Sequence, residues 1–597
     1  MRARFASCLF GVLICAQAIA QVTRRVSTDA TGGEGNGDSY RPSLSADGHF
    51  LAFHSDASDL VPGDTNGLRD IFVHDRTTGT TERVSLDSAG GQADGDSYYP
   101  SISADGRCTV FWSYATNLVP GDTNGFVDVF VHDRLSGATE RVNVSSTEAQ
   151  ANQDSGSSFA ISADGRWVAF DSFANNLIFS DTNGRTDAFV RDRVTGVTER
   201  VSVASSGVQG NGDSYPTSLS AEGRYVAFWS QADNLVPGDT NKVADVFVRD
   251  RQNDTTERVS VDSTGAQSNG FSSIASITAD GRYVAFDSEA SNLVPGDTNA
   301  RVDVFVHDRL TGATERVSLS SSGAQGDEHS YIPCISADGR FVVLFSLATN
   351  LVPADTNDTG DVFLHDRQTG TTERVSVATN GAQGNSLSSG STTSVSVDGR
   401  FVTFDSAAPN LVPGDTNALL DVFVRDRDAA GFTSLCNPGN GGVIDCPCSN
   451  PPSEKDRGCD NSAATGGANL TASGAAYVSS DDLVFTTSGE KPTATSILLQ
   501  GNVPVPGGVV YGQGVRCAGG VLRRLFTKIA SGGSITAPDF AALDPTITER
   551  SASLGDPILP GESRWYLVFY RDAVVLGGCP PTSTFNSTQT GRVEWSP

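Results

Sequence analysis

The chain has 597 residues, too many for one hydrophobic core, so we expect two or more domains. Its 70 Asp and Glu residues outnumber its 42 Lys and Arg residues, which gives a formal net charge of -28 at pH 7. An acidic surface of this kind repels phosphate backbones and argues against nucleic acid as a partner. It suits cations and neutral ligands such as glycans, or it serves solubility alone.

The first 20 residues have the pattern of an export signal. Arg2 and Arg4 form a basic start, an apolar run follows, and Ala18-Ile19-Ala20 is an A-x-A cleavage pattern. No later stretch approaches the roughly 18 apolar residues of a membrane-spanning helix. We therefore predict a cleavable signal peptide at residues 1–20, no membrane span, and a secreted or periplasmic mature protein.

After the signal, one motif is repeated seven times. The turn "SADGR" and its variants recur at intervals of 58, 59, 58, 58, 58 and 60 residues. Each unit has four short runs rich in Val, Ile, Phe, Tyr and Thr, of the types "PSIS", "RYVAFDS", "DVFVHDR" and "TERVSV". Their alternating polarity predicts four strands per unit, and the repetition predicts a modular array of sheets.

The two ends of the array indicate a closed ring. The seventh unit stops after its third strand, Asp421–Asp426, whereas "VTRRVSTD" (Val22–Asp29) stands alone after the signal. If this segment supplies the missing fourth strand, the ring closes and two open sheet edges disappear. We predict an all-β fold with a seven-bladed β-propeller at residues 21–430, closed by its N-terminal strand. One Phe per third strand should fill the core between blades: Phe72, Phe130, Phe189, Phe247, Phe305, Phe363 and Phe423.

The repeat resembles that of a known family. "ADGRYVAF" together with "DVFVHDRLTGATERVS" is similar to the TolB-like, WD-repeat-like β-propeller repeat, over about Val22 to Arg427. The units run near 58 residues rather than about 40, and Ala or Val replaces the family proline. The resemblance implies the propeller fold. The envelope-complex role of TolB, which carries an extra domain before its propeller, is not transferred.

Loop lengths predict a ring with two different faces. The turns "ADGR" and "RLTGA" are short and share one face. The longer connections, from second to third strand and from fourth strand to the next unit, share the other face, because antiparallel strands alternate in direction. We call it the long-loop face. Long loops on a rigid scaffold often carry function, so we predict a glycan or protein ligand here.

Each loop between the second and third strands contains "DTN", and an Asp begins the strand that follows. These three residues place oxygens at relative positions one, three and seven, as calcium loops do at their start. Position five is never a carboxylate, so the loop is not an EF-hand, and a metal-free Asx-turn is an open alternative. The candidate calcium ligands are Asp64, Asn66, Asp70, Asp122, Asn124, Asp128, Asp181, Asn183, Asp187, Asp239, Asn241, Asp245, Asp297, Asn299, Asp303, Asp355, Asn357, Asp361, Asp415, Asn417 and Asp421.

The loop that leads into each first strand carries Tyr and Asp residues, as in "NGDSY" and "DGDSY". We expect them to rim the central channel, where aromatic and acidic groups suit sugar recognition; loop packing is the alternative. Units three, five and seven lack the Tyr. The candidate ligand-binding residues are Asp38, Tyr40, Asp96, Tyr98, Asp154, Asp213, Tyr215 and Tyr331.

No catalytic constellation stands out. A third-strand position carries His74, His132, His307 and His365, and Arg in three other units. A general base cannot be exchanged for a guanidinium, so we predict structural hydrogen bonds there. No G-x-S-x-G elbow occurs. We expect the Asp–Arg and Glu–Arg pairs of "HDR" and "TER" to be solvated cross-strand ion pairs.

Three functions therefore stay open. The first is a non-catalytic exported binding or scaffold protein that uses the long-loop face. The second is a secreted polysaccharide lyase or hydrolase with acidic residues at the channel mouth. A pair of carboxylates about 5–9 Å apart there would favour this function. The third is a structural surface protein stabilised by calcium.

Beyond about Phe432 the composition changes. Residues 431–460 are rich in Cys, Gly and Pro, and runs such as "TSILLQGN" and "RWYLVFYRD" predict a β-sandwich at residues 461–597. Six cysteines lie in this region, and in an exported chain they favour disulfides over zinc, with the pairing undetermined. Cys108 and Cys334, in different repeats, should be buried free thiols.

Overall fold

The structure is a computed structural model that describes residues 21–29, 31–427, 433–436, 438–439, 443–453, 457–473, 476, 478, 481, 483–559, 561–576 and 584–595. The predicted signal peptide lies outside the described residues. The chain divides into two compact units, Val22–Arg427 and the chain beyond Arg427. Within the described part of the chain, no helix has the length and apolar character needed to cross a membrane.

Val22–Arg427 forms seven four-stranded antiparallel sheets, which are the blades of a propeller. We number them one to seven in chain order. The inner strands are Ser39–Leu44, Ser97–Ile102, Ser155–Ile161, Ser214–Leu219, Ser272–Ile277, Ser330–Ile335 and Ser388–Val395. The second strands are Phe50–Ser55, Cys108–Ser113, Trp167–Ser172, Tyr225–Ser230, Tyr283–Ser288, Phe341–Ser346 and Phe401–Ser406. The third strands are Asp70–Asp75, Asp128–Asp133, Asp187–Asp192, Asp245–Asp250, Asp303–Asp308, Asp361–Asp366 and Asp421–Asp426. The outer strands are Thr80–Arg83, Ala138–Arg141, Val197–Arg200, Thr255–Arg258, Ala313–Arg316, Thr371–Arg374 and, in blade seven, Val22–Arg25.

The last blade takes its outer strand from the start of the chain. Val22–Arg25 pairs antiparallel with Asp421–Asp426. The backbone N–H of Val26 extends the ladder by donating to the carbonyl of Val422 at 2.8 Å. The prediction of a seven-bladed propeller closed by its N-terminal strand is therefore confirmed.

Apolar side chains hold neighbouring blades together. All seven third-strand Phe residues are fully buried, as predicted. In blade three, Phe189 stacks on Phe170 of its own second strand and packs with Val129 and Val131 of blade two. Each such ring stabilises the contact between blades by about 2–3 kcal/mol.

The Arg that ends each "HDR" motif also joins two blades. Arg134 of blade two pairs with Glu82 of blade one, and its guanidinium lies 4.2 Å from the centre of the Phe50 ring of blade one. Blades three to seven repeat the ion pair to the preceding blade. These pairs connect blades and not strands of one sheet, which corrects the expectation drawn from the sequence.

The unit beyond Arg427 contains two packed sheets. The larger sheet orders Thr433–Cys436, Thr590–Glu594, Ser563–Arg571, Thr495–Gly501 and Arg523–Ile529, with Phe585–Ser587 paired to Ser563–Arg571. The smaller sheet contains Asn469–Ser473, Val484–Ser488 and Thr536–Ala537. A hairpin (Val503–Tyr511, Gly514–Gly519), a 3-10 turn (Phe540–Ala542) and a helix (Ile547–Ser553) complete it. Leu470 and Phe485 of the smaller sheet share one core with Tyr566 and Trp595, as a β-sandwich requires.

Cysteines behave differently in the two units. Cys446 and Cys459 form a disulfide, and Cys448 and Cys517 are also disulfide-bonded. Cys108 and Cys334 are free; Cys108 is buried, whereas Cys334 is partly exposed at the wall of the central channel. A disulfide-bearing C-terminal β-sandwich is thus confirmed.

Candidate functional site

The channel along the propeller axis is enclosed by the inner strands. Its cavity has a volume of about 630 Å³ and is lined by small polar residues such as Ser43, Ser101 and Ser218. Arg41 and Tyr99, which lie at bulges of the inner strands, also line it and have positive φ angles of 52° and 54°. The Arg41 guanidinium lies 3.9 Å from the centre of the Tyr99 ring. Strained residues of this kind concentrate at binding sites.

An arginine lies between the two aspartates of every "DTN" loop. In blade two, Nη1 of Arg141 lies 2.9 Å from Oδ1 of Asp122 and 2.8 Å from Oδ2 of Asp128. The other bridging residues are Arg25, Arg83, Arg200, Arg258, Arg316 and Arg374, at N–O distances of 2.9–3.6 Å. The side chains of all seven arginines are only 8–10 % exposed, so the expectation of solvated pairs is wrong for the arginines of "TER". Successive side chains of a strand point to opposite faces, which separates each Arg from its neighbouring Glu.

The Asn of the loop directs its amide nitrogen toward the same carboxylate. In blade two, Nδ2 of Asn124 lies 3.0 Å from both carboxylate oxygens of Asp128, and its Oδ1 accepts the N–H of Phe126 at 3.1 Å. Blades one and three to six repeat this donation, whereas Asn417 of blade seven donates to the carbonyl of Gly35. The hydrogen bond from the N–H of Phe126 to Oδ1 of Asn124, two residues earlier, is an Asx-turn.

The 21 candidate calcium ligands are thus brought together in groups of three. Calcium needs oxygen lone pairs, and here N–H donors face the carboxylates. Among the described residues, no group of three or more His, Cys, Asp or Glu side chains could hold a metal ion. Calcium binding stays a prediction.

Two carboxylates per guanidinium leave excess negative charge in each loop. Burial raises the pKa of Asp421 to about 6, although Ser27 and Arg25 oppose the rise. Burial also raises the pKa of Asp122, with the nearby Asp128 charge acting in the same direction. Asp421 and Asp122 therefore take up a proton more readily than a free aspartate does.

The acidic residues predicted to rim the channel also tie blades together. Asp96 Oδ1 accepts the N–H of Arg69, and Asp154 Oδ1 accepts the N–H of Val127, both at 3.0 Å. Asp38 and Asp213 accept equivalent N–H groups of the preceding blade. One oxygen of each carboxylate is therefore used by the loop structure.

The predicted tyrosines stack on neighbouring rings and stay partly exposed. The pairs and their centroid distances are Tyr40–His54 at 5.3 Å, Tyr98–Trp112 at 4.3 Å, Tyr215–Trp229 at 4.5 Å and His329–Tyr331 at 5.6 Å. Burial raises the pKa of Tyr40 to about 12, and the hydrogen bond to Asp38 acts in the same direction.

Blade two carries the largest group of these rings. The Tyr114 ring lies 5.3 Å from Trp112 and is 55 % exposed, and the Tyr99 ring lies 5.7 Å from Trp112. We call Tyr98, Tyr99, Trp112 and Tyr114 the aromatic patch. The Arg69 guanidinium lies 4.8 Å from the centre of the Tyr98 ring. Of these four residues, only Tyr98 is among the predicted ligand-binding residues. Trp112 lies opposite Tyr98 in the pairing of the inner and second strands, so this register is the signal that identifies it.

Blades three, five and seven replace the aromatic pair by a small residue and an aspartate. The aspartates are Asp171, Asp287 and Asp405. Asp171 accepts the Ser157 hydroxyl at 2.7 Å and the Ser158 N–H at 2.6 Å. Burial raises its pKa to about 6, although these hydrogen bonds oppose the rise. The absence of the tyrosines is evident in the sequence, whereas the aspartates that accompany them were not predicted as site residues.

A second cavity, of about 300 Å³, opens at blade three. Its lining consists of Trp112, Val127, Asp154, Ser155, Gly156, Ser157, Asp171, Phe173, Thr186 and Tyr215. Gly156 stands where blades two and four carry Tyr, with φ of 92°. A Cβ there would lie 2.5 Å from Cγ2 of Val129, so the strand can approach blade two this closely only at a glycine. We call this space the blade-three cavity.

The repeated histidines make a structural contact. His74, His132, His307 and His365 hydrogen-bond through Nδ1 to an outer-strand Thr hydroxyl at 2.8–3.0 Å. Arg191 and Arg249 reach the equivalent Thr. Burial lowers the pKa of His74 to about 4, so this ring is neutral at pH 7.

Comparison with solved structures finds other β-propellers. The chain is similar to a putative TolB from Agrobacterium tumefaciens (15% identity, 49% of this chain and 83% of that chain, TM-score 0.32). It is similar to the β-propeller domain of the Trilobed protease from Pyrococcus furiosus (11% identity, 65% of this chain and 93% of that chain, TM-score 0.41). It is also similar to the Pyrococcus horikoshii acylaminoacyl peptidase (12% identity, 62% of this chain and 49% of that chain, TM-score 0.38).

No protein-family model matches the sequence, and no curated protein matches it. The structural similarities are of fold, at low identity and low TM-score, and they carry no information about activity. The resemblance to TolB-like propellers predicted from the repeat is confirmed for the fold, which the seven four-stranded sheets establish directly.

Proposed function

We propose that this protein is an extracytoplasmic, non-catalytic binding protein that takes a glycan on the long-loop face of its propeller. The aromatic patch is the observation that carries the proposal. Its partly exposed rings offer flat apolar surfaces to the C–H faces of sugar rings, and Arg69 and Asp96 place polar groups beside them. Clustered exposed aromatic side chains mark interaction sites on proteins.

Two further observations support the proposal. The disulfides of the C-terminal unit fit an oxidising, extracytoplasmic compartment. The alternative of a lyase or hydrolase needs carboxyl groups that are free to act on a substrate. The four aspartates predicted to rim the channel each hold a backbone N–H of the preceding blade, which favours a binding role over a catalytic one.

A glycan array tests the proposal with the full chain and two variants. Tyr114→Ala removes an exposed ring of the aromatic patch, and Leu135→Ala removes a side chain on the short-turn face that is even more exposed, 79 % against 55 %. We expect a defined set of glycans to be retained by the wild type and by Leu135→Ala, and to bind Tyr114→Ala at least tenfold more weakly. Retention of no glycan by the wild type, or equal retention by Tyr114→Ala, would contradict the proposal.

A further inference from the structure

The blade-three cavity contains a buried carboxylate without a positive partner. Asp171 is 4 % exposed, and Asp154 lies at the rim. Neither forms an ion pair with any residue that the structure describes. A buried charge is costly unless it is paired, and the groups that donate to Asp171, among them the Ser157 hydroxyl and the Ser158 N–H, carry no charge.

In blade five, by contrast, the next blade donates to the equivalent aspartate. There the equivalent Asp287 accepts the Ser273 hydroxyl at 2.7 Å and also the N–H of Ile332, from blade six, at 3.2 Å. Ile332 is the third residue of its inner strand. The third residue of the inner strand in blade four is Pro216, which has no N–H to give. Blade four therefore donates no equivalent N–H to Asp171, which accepts hydrogen bonds from Ser157 and Ser158 of its own blade.

The walls of the cavity suit a cation. Trp112, Phe173 and Tyr215 contribute three aromatic side chains, whose faces attract positive charge. The described residues that line the cavity include two carboxylates and no Lys, Arg or His. A neutral polyol would leave the charge of Asp171 unpaired, and an anion would be repelled. A positively charged group that carries an N–H would supply the counter-charge and a charge-assisted hydrogen bond to Asp171.

We propose that the blade-three cavity binds the protonated amino group of an alkylamine, which donates an N–H to Asp171 and places its carbon chain against Trp112 and Tyr215. Gly156 opens the space for this site, and Pro216 offers Asp171 no N–H from blade four. Trp112 belongs to both the aromatic patch and the cavity, but Tyr114 does not line the cavity and Asp171 is not part of the patch. Variants of Tyr114 and of Asp171 therefore test the glycan site and the cation site separately.

Ligand-observed NMR titration of the full chain with n-butylammonium chloride tests the proposal, with n-butanol as a neutral probe of similar size. We expect saturable binding of n-butylammonium to the wild type, at least tenfold tighter than n-butanol. Asp171→Asn should weaken it at least tenfold, and the matched variant Asp287→Asn, in blade five, should leave it unchanged. No saturable binding to the wild type, equal affinity for n-butanol, or unchanged affinity in Asp171→Asn would overturn the proposal.

A second variant keeps the test decisive if Asp171→Asn does not fold. Phe173 lines the cavity but is 50 % exposed, so truncating it leaves the core of blade three intact. We expect Phe173→Ala to weaken n-butylammonium binding at least threefold at an unchanged Tm. Binding as tight as that of the wild type would count against the aromatic wall and against the site.

Discussion

At the scale of single residues, the arginine between two aspartates is the interaction that the repeat preserves most completely. Arg141→Met would leave Asp122 and Asp128 buried without a counter-charge, which typically costs about 3–5 kcal/mol. We expect a clear fall in Tm. In the control Arg107→Met, the lost pair with Asp133 involves an Arg that is 47 % exposed, and such pairs contribute less than about 1 kcal/mol. Equal losses in the two variants would show that burial does not decide the strength of these bridges.

Asp171 gives the stability a definite dependence on pH. Its pKa of about 6 lies above the ordinary 3.8, so between these values the folded chain holds a proton that the unfolded chain releases. Stability due to this group therefore falls as pH rises from about 4 to 6, by about 1.4 kcal/mol per pKa unit. Relative to wild type, Asp171→Asn should gain stability over this range in thermal melts. A pH-independent difference in Tm would contradict the shift.

Asp250 provides a control, because its contribution to stability depends on pH in the opposite direction to that of Asp171. The hydrogen bond from Arg224 lowers the pKa of this carboxyl to about 2. A lowered pKa contributes stability above the ordinary value that is lost as pH falls toward 2. Asp250→Asn should therefore be destabilised relative to wild type at pH 7 and approach it in acid.

At the scale of the turn, substitution of two glycines distinguishes the cost of backbone strain from the cost of a clash between blades. Gly106 and Gly137 have nearly equal φ angles, 72° and 71°. A Cβ on Gly106 would lie 2.1 Å from Cδ2 of Phe50 in blade one, whereas nothing lies within 4 Å of one on Gly137. Gly137→Ala should cost about 1–2 kcal/mol from the left-handed conformation. Gly106→Ala should cost about 1–3 kcal/mol more, because Phe50 must move. Urea denaturation of both variants measures the difference, and equal costs would contradict the contact.

At the scale of the strand, closure of the ring can be tested with a protease. Val26 is 2 % exposed and occupies the place in blade seven that Val84 occupies in blade one. An Asp at either position puts an unpaired charge into the core. In Val26→Asp the closing strand should detach, so that trypsin cleaves after Arg24 and Arg25 much faster than in wild type. Val84→Asp should lower Tm without exposing these bonds. Equal cleavage at Arg24 and Arg25 in wild type and Val26→Asp would show that the strand is not held.

The blades could be predicted from the sequence because their determinants are local and repeated. The alternating runs fix the strands, and the unpaired segment at Val22–Asp29 fixes the closure. The arginine bridges were misjudged because "TER" places Arg beside Glu in sequence, whereas Arg141 reaches Asp122 in a loop 19 positions earlier. The repetition of these residues indicates a shared structural role, but it does not show which of them contact one another.

The blade-three cavity could not be predicted, because it depends on departures from the repeat in three different blades. Gly156 of blade three removes a Tyr, Pro216 of blade four removes an N–H, and Trp112 of blade two forms a wall. Each change is unremarkable in its own unit. Their combination is visible only when the blades stand side by side, which makes the irregular units the informative ones.

At the scale of the whole molecule, the seven copies of the "DTN" loop would make any effect of calcium on stability large enough to measure easily. If every "DTN" loop held calcium at ten times its Kd, linkage would add about 1.4 kcal/mol per loop and about 10 kcal/mol in total. We expect instead that EDTA and millimolar calcium leave the Tm unchanged, because each carboxylate pair already holds an Arg and, in blades one to six, an Asn amide. Arg141→Met should behave differently, since it frees Asp122 and Asp128 for a cation, and calcium should recover part of its lost stability. A large calcium-dependent shift in the wild type would instead mean that the arginines yield to the metal in all seven blades.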